Sequence, residues 1–422
     1  MRAVEPAGFA WAVLRDPQGS VCRTTVSLRG IRPGGFVMRV GSISGIGEVD
    51  AGAWRTLEPR DFPFFDLEFL EALERSRSIG PASGWSPAYL LCEDDRGGVL
   101  GALPVYLKTD SYGEYIFDWE WARAYREHGL RYYPKLTAAV PFTPATGPKL
   151  LSRPDLGEDG REGRRAVARA LLDAARVLGD ELRVSSSHAL FLPEDEIGEF
   201  EDRGFAVRHS LQFHWRNRGY GSFDDYLGAL TSKRRRQISR ERRQLGEEGL
   251  IVERLTGDDL TPRHAALMYR FYLSTLDRKW GSPYLTGAFF DEVFRTMKDR
   301  ILFVLARDAT TGRPVAGALN FYKGRTIFGR YWGAFEERRN LHFELCYYQA
   351  IEFAIERGMD LFEAGAQGEH KHARGFLPSI TYSAHEIRHK GFRRAIEHYI
   401  EEEKEWLAEA MEDYARHDPY KA

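Results

Sequence analysis

The 422-residue chain is 43% hydrophobic and 29% charged, which supplies apolar material for substantial cores at a length that calls for two or three domains. A formal net charge of −2 excludes a polycation, so any contact with nucleic acid must come from a local patch. Cys22, Cys92 and Cys346 are far apart and form no CxxC pair, which speaks against a disulfide framework or a zinc knuckle. No apolar run approaches the ~20 residues of a bilayer span and no secretory segment is recognisable, so the expected location is the cytoplasm.

In chain order, residues 1–36 are rich in Gly, Arg and Pro with little periodicity and are expected to be a loose extension. Residues 88–93 and 99–108 read as two strands around the turn 94–98. An insertion over 112–133 is dense in aromatic and acidic residues. A helix is expected over 164–178 and a strand over 182–186. Then come a strand at 210–217, a short helix at 223–230 and a basic helix at 233–247. Amphipathic helices follow at 258–277 and 286–298. Strands at 301–307 and 314–323 flank the turn 308–313. A helix at 343–357 leads into a strand at 360–364, and a Glu-rich helix over 391–416 ends the chain. The two hairpins share the kernel Gly-Ala-Leu-x-apolar-Tyr, starting at Gly101 and at Gly317, and each is followed by a helix and a strand. This order points to internal duplication, with one unit over 37–215 and a second over 216–422.

The richest segment runs from Glu363 through Gly365, Gln367, Gly368, Glu369, His370 and Lys371 to Arg374 and Gly375. An apolar strand enters a glycine turn that then presents an amide, a carboxylate, an imidazole and an ammonium, a frequent disposition for sites. Acyl transfer to an amine needs a proton acceptor, donors for the oxyanion and two substrates held together. Glu369 and His370 are candidate proton acceptors, and Lys371, Arg374 and the N–H groups near Gly368 candidate oxyanion donors, with Gln367 orienting. Arg330, Tyr331 and Trp332 on the neighbouring strand are expected to face this loop. Glu114, Tyr115, Asp118 and Trp119 suit the wall of a site for an amine-bearing acceptor, and Lys135, Thr143 and Thr146 lie on a proline-rich connection that faces the same cleft. The helix from Lys233, Arg234, Arg235 and Arg236 onward is either a phosphate-tracking stripe or a solvated face. The spacings His370-x-His372 and His385-x-x-x-His389 lack cysteine partners, and no metal is expected.

The motifs Ser111 to Trp119, Tyr132 to Leu136, Val140 to Pro148 and Gly365 to Gly375, together with the basic helix ending in Gly249 before a strand, resemble the FemAB-like family of predicted N-acyltransferases. The resemblance covers the chain from about residue 37. It implies an α/β fold of two GNAT-like domains in tandem, related to the Fem peptidyltransferases. It also implies transfer of an acyl or aminoacyl group to an amine on a small molecule, peptide or cell-wall precursor. Acyl-CoA-using GNAT domains carry a glycine loop for pyrophosphate. The corresponding junction here, Arg338-Arg339-Asn340-Leu341-His342-Phe343, contains no glycine, although Arg338 and Arg339 are candidate phosphate contacts. Aminoacyl-tRNA is therefore the first choice of donor and no cofactor is expected, with acyl-CoA or an acyl carrier protein as the alternative donor. A non-catalytic peptidoglycan-recognition module is the rival from another class.

Overall fold

Pro104 lacks an N–H, cannot continue a ladder, and breaks the strand expected over 99–108 in two. The computed structural model describes residues 10–15, 21–27, 38–156, 161–279, 283–366 and 368–421. Its first half contains strands β1 (Ala10–Arg15), β2 (Val21–Ser27) and β3 (Arg39–Ile43), then helices α1 (Ala51–Arg55) and α2 (Leu67–Arg75). Strands β4 (Trp85–Pro87), β5 (Tyr89–Glu93), β6 (Val99–Leu103) and β7 (Val105–Lys108) follow, with α3 (Trp119–Glu127) inside the aromatic insertion. The half ends with β8 (Lys135–Ala138), β9 (Leu151–Ser152), α4 (Arg161–Glu181), β10 (Ser186–Leu192), α5 (Ile197–Glu201) and β11 (Ala206–Arg216). Beyond the proline, β7 leaves the sheet of β6: β6 lies in the six-stranded order β1-β2-β3-β5-β6-β9, whereas β7 joins an eleven-stranded sheet.

The second half opens with α6 (Phe223–Ala229) and the basic helix α7 (Ser232–Glu247). It continues with β12 (Leu250–Leu255), α8 (Pro262–Lys279), α9 (Gly287–Thr296) and strands β13 (Ile301–Asp308), β14 (Pro314–Lys323) and β15 (Thr326–Ala334). One helical stretch then comprises α10 (Leu341–Phe343), a π-helical turn Glu344–Tyr348 and α11 (Gln349–Glu356), and is followed by β16 (Leu361–Glu363), β17 (Leu377–Ile387) and α12 (Lys390–Arg416). The larger sheet runs β12-β13-β14-β15-β16-β11-β17-β10-β8-β7-β4.

The duplication is visible in this order. Each half has a strand, a pair of helices, an antiparallel hairpin, a further strand, a helix and a returning strand. In each, the returning strand pairs in parallel with a strand that precedes its helix: β10 with β8, and β16 with β15. The repeats nevertheless share one sheet. β17, from the end of the chain, lies between β11 and β10, pairing Ala206 to His214 on one side and Ser186 to Leu192 on the other. No strand was expected there, because most of its buried positions hold polar residues, Thr381, Ser383, His385 and Glu386, with only Ala384 and Ile387 aliphatic among them.

Within residues 1–36 the described stretches 10–15 and 21–27 are paired strands: β1 pairs with β2, and Val26 of β2 pairs with Val40 of β3, so these two strands extend the smaller sheet. The strand expected at 182–186 lies at Ser186–Leu192, because α4 runs on to Glu181.

One apolar cluster also joins the halves. Phe62, Phe64 and Phe65 sit on a short turn that presses into the second unit, with Phe64 5.6 Å from Phe321 and Phe62 5.7 Å from Phe328, edge to face. Such pairs add about 0.5–1.5 kcal/mol each beyond the area they bury. Beside them the buried Lys323 ammonium meets Asp66 at 2.5 Å.

Candidate active site between the two halves

β15 and β16 run side by side for three residues and part after Phe328 and Glu363. Beyond this fork β15 continues against β14, while the other branch turns into the glycine loop. The positive φ of Gly368 (122°) and Gly375 (77°) favours glycine. Space makes the same demand: a Cβ on Gly375 would stand 2.8 Å from the hydroxyls of both Tyr226 and Tyr420. Those hydroxyls donate to the carbonyls of Arg374 (2.6 Å) and Gly375 (2.7 Å), holding the end of the loop.

The loop's side chains divide into three kinds. Glu369 is exposed, and Gln367 lies outside the described residues. The His370 ring packs on Phe343 and His342, and its Nε2 lies 2.9 Å from the Tyr347 hydroxyl. Burial, with Arg374 and Lys371 nearby, lowers its pKa. The Lys371 ammonium is buried and donates to the Gly365 carbonyl at 2.7 Å, and among the described residues it has no carboxylate partner. Burial brings it down to about 8, so near neutral pH it is a cation that releases its proton readily. Trp332 reaches the loop through His342, 5.1 Å from its ring.

Arg374, expected to contact substrate, is engaged by other groups of the protein. Its guanidinium is buried, pairs with Glu241 of α7 at 2.9 Å, donates to the Tyr348 hydroxyl and the His370 carbonyl at 2.9 Å each, and covers the Phe343 ring. Its donors are used inside the protein, and it fastens the loop to the basic helix.

Arg330 and Tyr331 lie on the other side of the fork. Both donate to the carbonyl of Phe142, a residue held at a φ of 58° that bulky side chains rarely adopt. The Phe142 ring stacks on Tyr284, with 5.1 Å between centroids. Four residues on, the Thr146 N–H donates to Glu363 at 3.0 Å, and Gln212 donates to the Pro144 carbonyl at 3.2 Å. The proline-rich connection is thus stapled across the fork. Thr143 is buried in it, its hydroxyl donating to the Pro141 carbonyl at 3.1 Å.

Of the acceptor wall expected from the insertion, the charged residues lie inside the protein. Glu114, Asp118 and Lys135 are buried together. The Lys135 ammonium lies 2.8 Å from Glu114 and 2.8 Å from the Ser111 hydroxyl, and also bonds Asp118. Burial pushes Glu114 up to about 7, whereas Lys135 and His188 hold Asp118 down at about 2 against its own burial. Lys135 bonds both carboxylates, yet one oxygen of each, Glu114 Oε1 and Asp118 Oδ1, is buried without a hydrogen-bond partner. Tyr115 is half-buried near Arg330. Trp119 is 40% exposed, next to Tyr112 at 56%.

Along α7, Lys233 and Arg236 are exposed and Arg234 and Arg235 half-buried. The nearest bonds of Arg234 and Arg236 are to Gln237 and to the Ser232 carbonyl, at 3.3 and 3.2 Å. Arg338 is paired with Glu336 at 2.8 Å, and Arg339 is exposed. Among the described residues, no group of three or more His, Cys, Asp or Glu side chains is disposed to hold a metal, and no helix is long and apolar enough to cross a membrane. His385 points into β-sheet neighbours while His389 caps α12, which separates that sequence pair.

Sequence reasoning began its richest segment at Glu363 but gave that residue no role. Its side chain is buried at the fork, with His214 Nε2 4.0 Å away, beside a cavity of about 280 Å³ between the halves. The available signal was a carboxylate closing an apolar strand immediately before a glycine turn.

The fold is α/β with two GNAT-like units in tandem, and residues 45–422 match the FemAB-like family, described as peptidoglycan biosynthesis/recognition. The chain belongs to that family. No curated protein matches its sequence. Among solved structures it is similar to FemX (12% identity, 78% of this chain and 93% of that one, TM-score 0.47). It is also similar to L-PGS from Bacillus licheniformis (10% identity, 76% and 90%, TM-score 0.45). A tandem GNAT protein from the clavulanic acid biosynthesis pathway is similar at 13% identity (83% and 98%, TM-score 0.42). No residue role comes with likenesses this distant.

Proposed function

We propose that this protein is an N-acyltransferase that carries an activated acyl group, in the first instance the aminoacyl group of aminoacyl-tRNA, to an amine on a peptidoglycan precursor or related acceptor. The observation that carries the donor assignment is the link between a cationic helix and the glycine loop. α7 exposes Lys233, Arg236, Arg240 and Arg243, while its one internal acid, Glu241, is spent on Arg374. A polyanion bound along α7 would therefore lie beside Glu369, His370 and Lys371. In this reading Lys371 serves the developing oxyanion, with His370 and Glu369 beside it. Binding the two substrates side by side is the larger contribution, since acyl transfer from an ester needs little covalent help.

The alternative donor, acyl-CoA or an acyl carrier protein, is less well served. The 338–343 junction offers no glycine-freed N–H groups, and Glu336 already offsets Arg338.

The test is binding of a mixed aminoacyl-tRNA pool at low and at physiological salt. Wild type should bind saturably, and the variant R234A/R235A/R236A should lose most of that affinity. Three lost phosphate contacts would flatten the log–log salt slope by about 2–3. A wild type that does not bind removes tRNA as donor and leaves acyl-CoA or a carrier protein.

A further inference from the structure

Glu363 has the attributes of a group kept for chemistry, and the transferase reading has not yet used it. It closes β16 at the point where the parallel pair opens, faces the first half, and is 3% exposed. The adjoining cavity of about 280 Å³ is walled by Phe62 and Phe328, by Thr146, Gly147 and Pro148, and by Arg60 and Asp61. Gly147 is packed so closely on Phe62 that a Cβ there would stand 2.4 Å from the ring, so the connection cannot fill the space with a side chain. The Thr146 hydroxyl is buried on this wall without a hydrogen-bond partner. Two aromatic faces, two carboxylates and an unused hydroxyl around a small cavity suit a primary amine with a short apolar stem.

We propose that this cavity seats the acceptor amine and that Glu363 takes its proton during transfer. The inference rests on the transferase reading. The amine nitrogen bonds to the acyl carbon and the carbonyl electron pair moves to oxygen. The nitrogen's proton passes to a Glu363 oxygen. When the tetrahedral species collapses, the bond from acyl carbon to the donor's ester oxygen breaks, that oxygen takes the proton, and the carboxylate is restored. Every proton is accounted for without a co-reactant.

The surroundings suit a group that must both accept and return a proton. Burial pushes Glu363 up to about 7, opposed by the Thr146 N–H and by the charges of Lys149, Arg216 and Arg330. His214, the nearest imidazole, is neutral because burial lowers it to about 3, and its Nε2 is 3.1 Å from the Gln212 amide oxygen. Lys149 donates to the carbonyls of Gly147 and Phe191 rather than to Glu363, so it forms no direct ion pair that holds Glu363 charged. A carboxylate poised near 7 is matched to proton transfer at neutral pH.

Two measurements on the full chain decide this. The first is the pH dependence of kcat/KM for transfer, in wild type and in Glu363→Gln, which keeps an oxygen for the Thr146 N–H. The expected result is a loss of about 100-fold or more and disappearance of the limb near pH 7, with unchanged tRNA binding and thermal midpoint. A variant that keeps the wild-type limb overturns the proposal. The second needs no turnover: a difference-infrared titration of ¹³C-glutamate protein with and without butylamine. A carboxyl band missing in Glu363→Gln should shift on adding the amine. A shift with no transfer from tRNA, CoA or carrier donors supports the amine seat and removes the transferase reading. An unmoved band removes the seat and leaves that reading intact.

Discussion

Two histidines on adjacent strands illustrate what burial does to single side chains. His188 on β10 and His385 on β17 face each other with their Nδ1 atoms 2.7 Å apart. Ser186 is 2.7 Å from the free nitrogen of one, and Ser383 2.8 Å from that of the other. One Nδ1 must carry the hydrogen and the other accept it, so both rings are neutral and in opposite tautomers. Burial, with Lys135 and Arg208 near, lowers His188 to about 3 and His385 well below its usual value. Unfolded imidazoles protonate near 6.5, so between there and about 3 the unfolded state binds more protons and stability falls as pH falls. At pH 5 each buried ring should cost on the order of 2 kcal/mol relative to pH 7. Urea unfolding of wild type and of His188→Asn/His385→Asn at pH 7 and pH 5 checks this. The double variant should lose several kcal/mol less on acidification, and equal losses would refute the assignment.

Between elements, the contact that matters most for the proposed reaction is the pairing of Arg374 in the loop with Glu241 of α7. Both partners are buried, and the Tyr348 hydroxyl bonds to each of them. Removing one charge leaves the other buried without compensation, which typically costs about 3–5 kcal/mol, whereas removing both costs less. Arg374→Met should therefore lower stability by that amount, and Glu241→Gln/Arg374→Met should recover part of it. Denaturant midpoints measure both. A strictly additive double variant would show that the two side chains do not act as a pair. If the pair holds the loop against α7, both variants should also weaken salt-sensitive tRNA binding less than they weaken transfer, because the cations of α7 remain.

For the whole molecule, duplication did not yield two independent bodies. β11 is flanked by β16 and β17, both contributed by the second half, and β10 pairs with β17. The Phe62 to Phe65 turn adds an apolar seam to this shared sheet. Unfolding should therefore be one cooperative transition, with tryptophan fluorescence and far-ultraviolet circular dichroism changing together. A chain ending at residue 215 should fail to fold, since β10 and β11 would both lose β17. Separate transitions, or a folded fragment, would mean that the seam contributes less than its area suggests.

Most of the element order was legible from periodicity: the hairpins at 88–108 and 301–323, the long amphipathic helices and the repeated kernel at Gly101 and Gly317 all reflect local pattern. The motifs likewise carried the family, because turn glycines and the residues around them are local demands of the backbone. Other features rest on partners distant in sequence. β17 is a strand between β10 and β11, where His385 meets His188 and Thr381 bonds the Ser210 carbonyl, so no hydrophobic alternation marks it. Arg374 and the Glu114, Asp118 and Lys135 cluster read as a surface for ligands until burial showed their charges meeting one another. Glu363 is an ordinary strand end until the fold seals it between two halves of the chain. The sequence by itself determined the repeated unit and the glycine loop, which depend on neighbours within a few residues. Only the tertiary structure decided which charges are spent inside the protein and which face a cavity, since desolvation and pairing depend on groups up to hundreds of residues away.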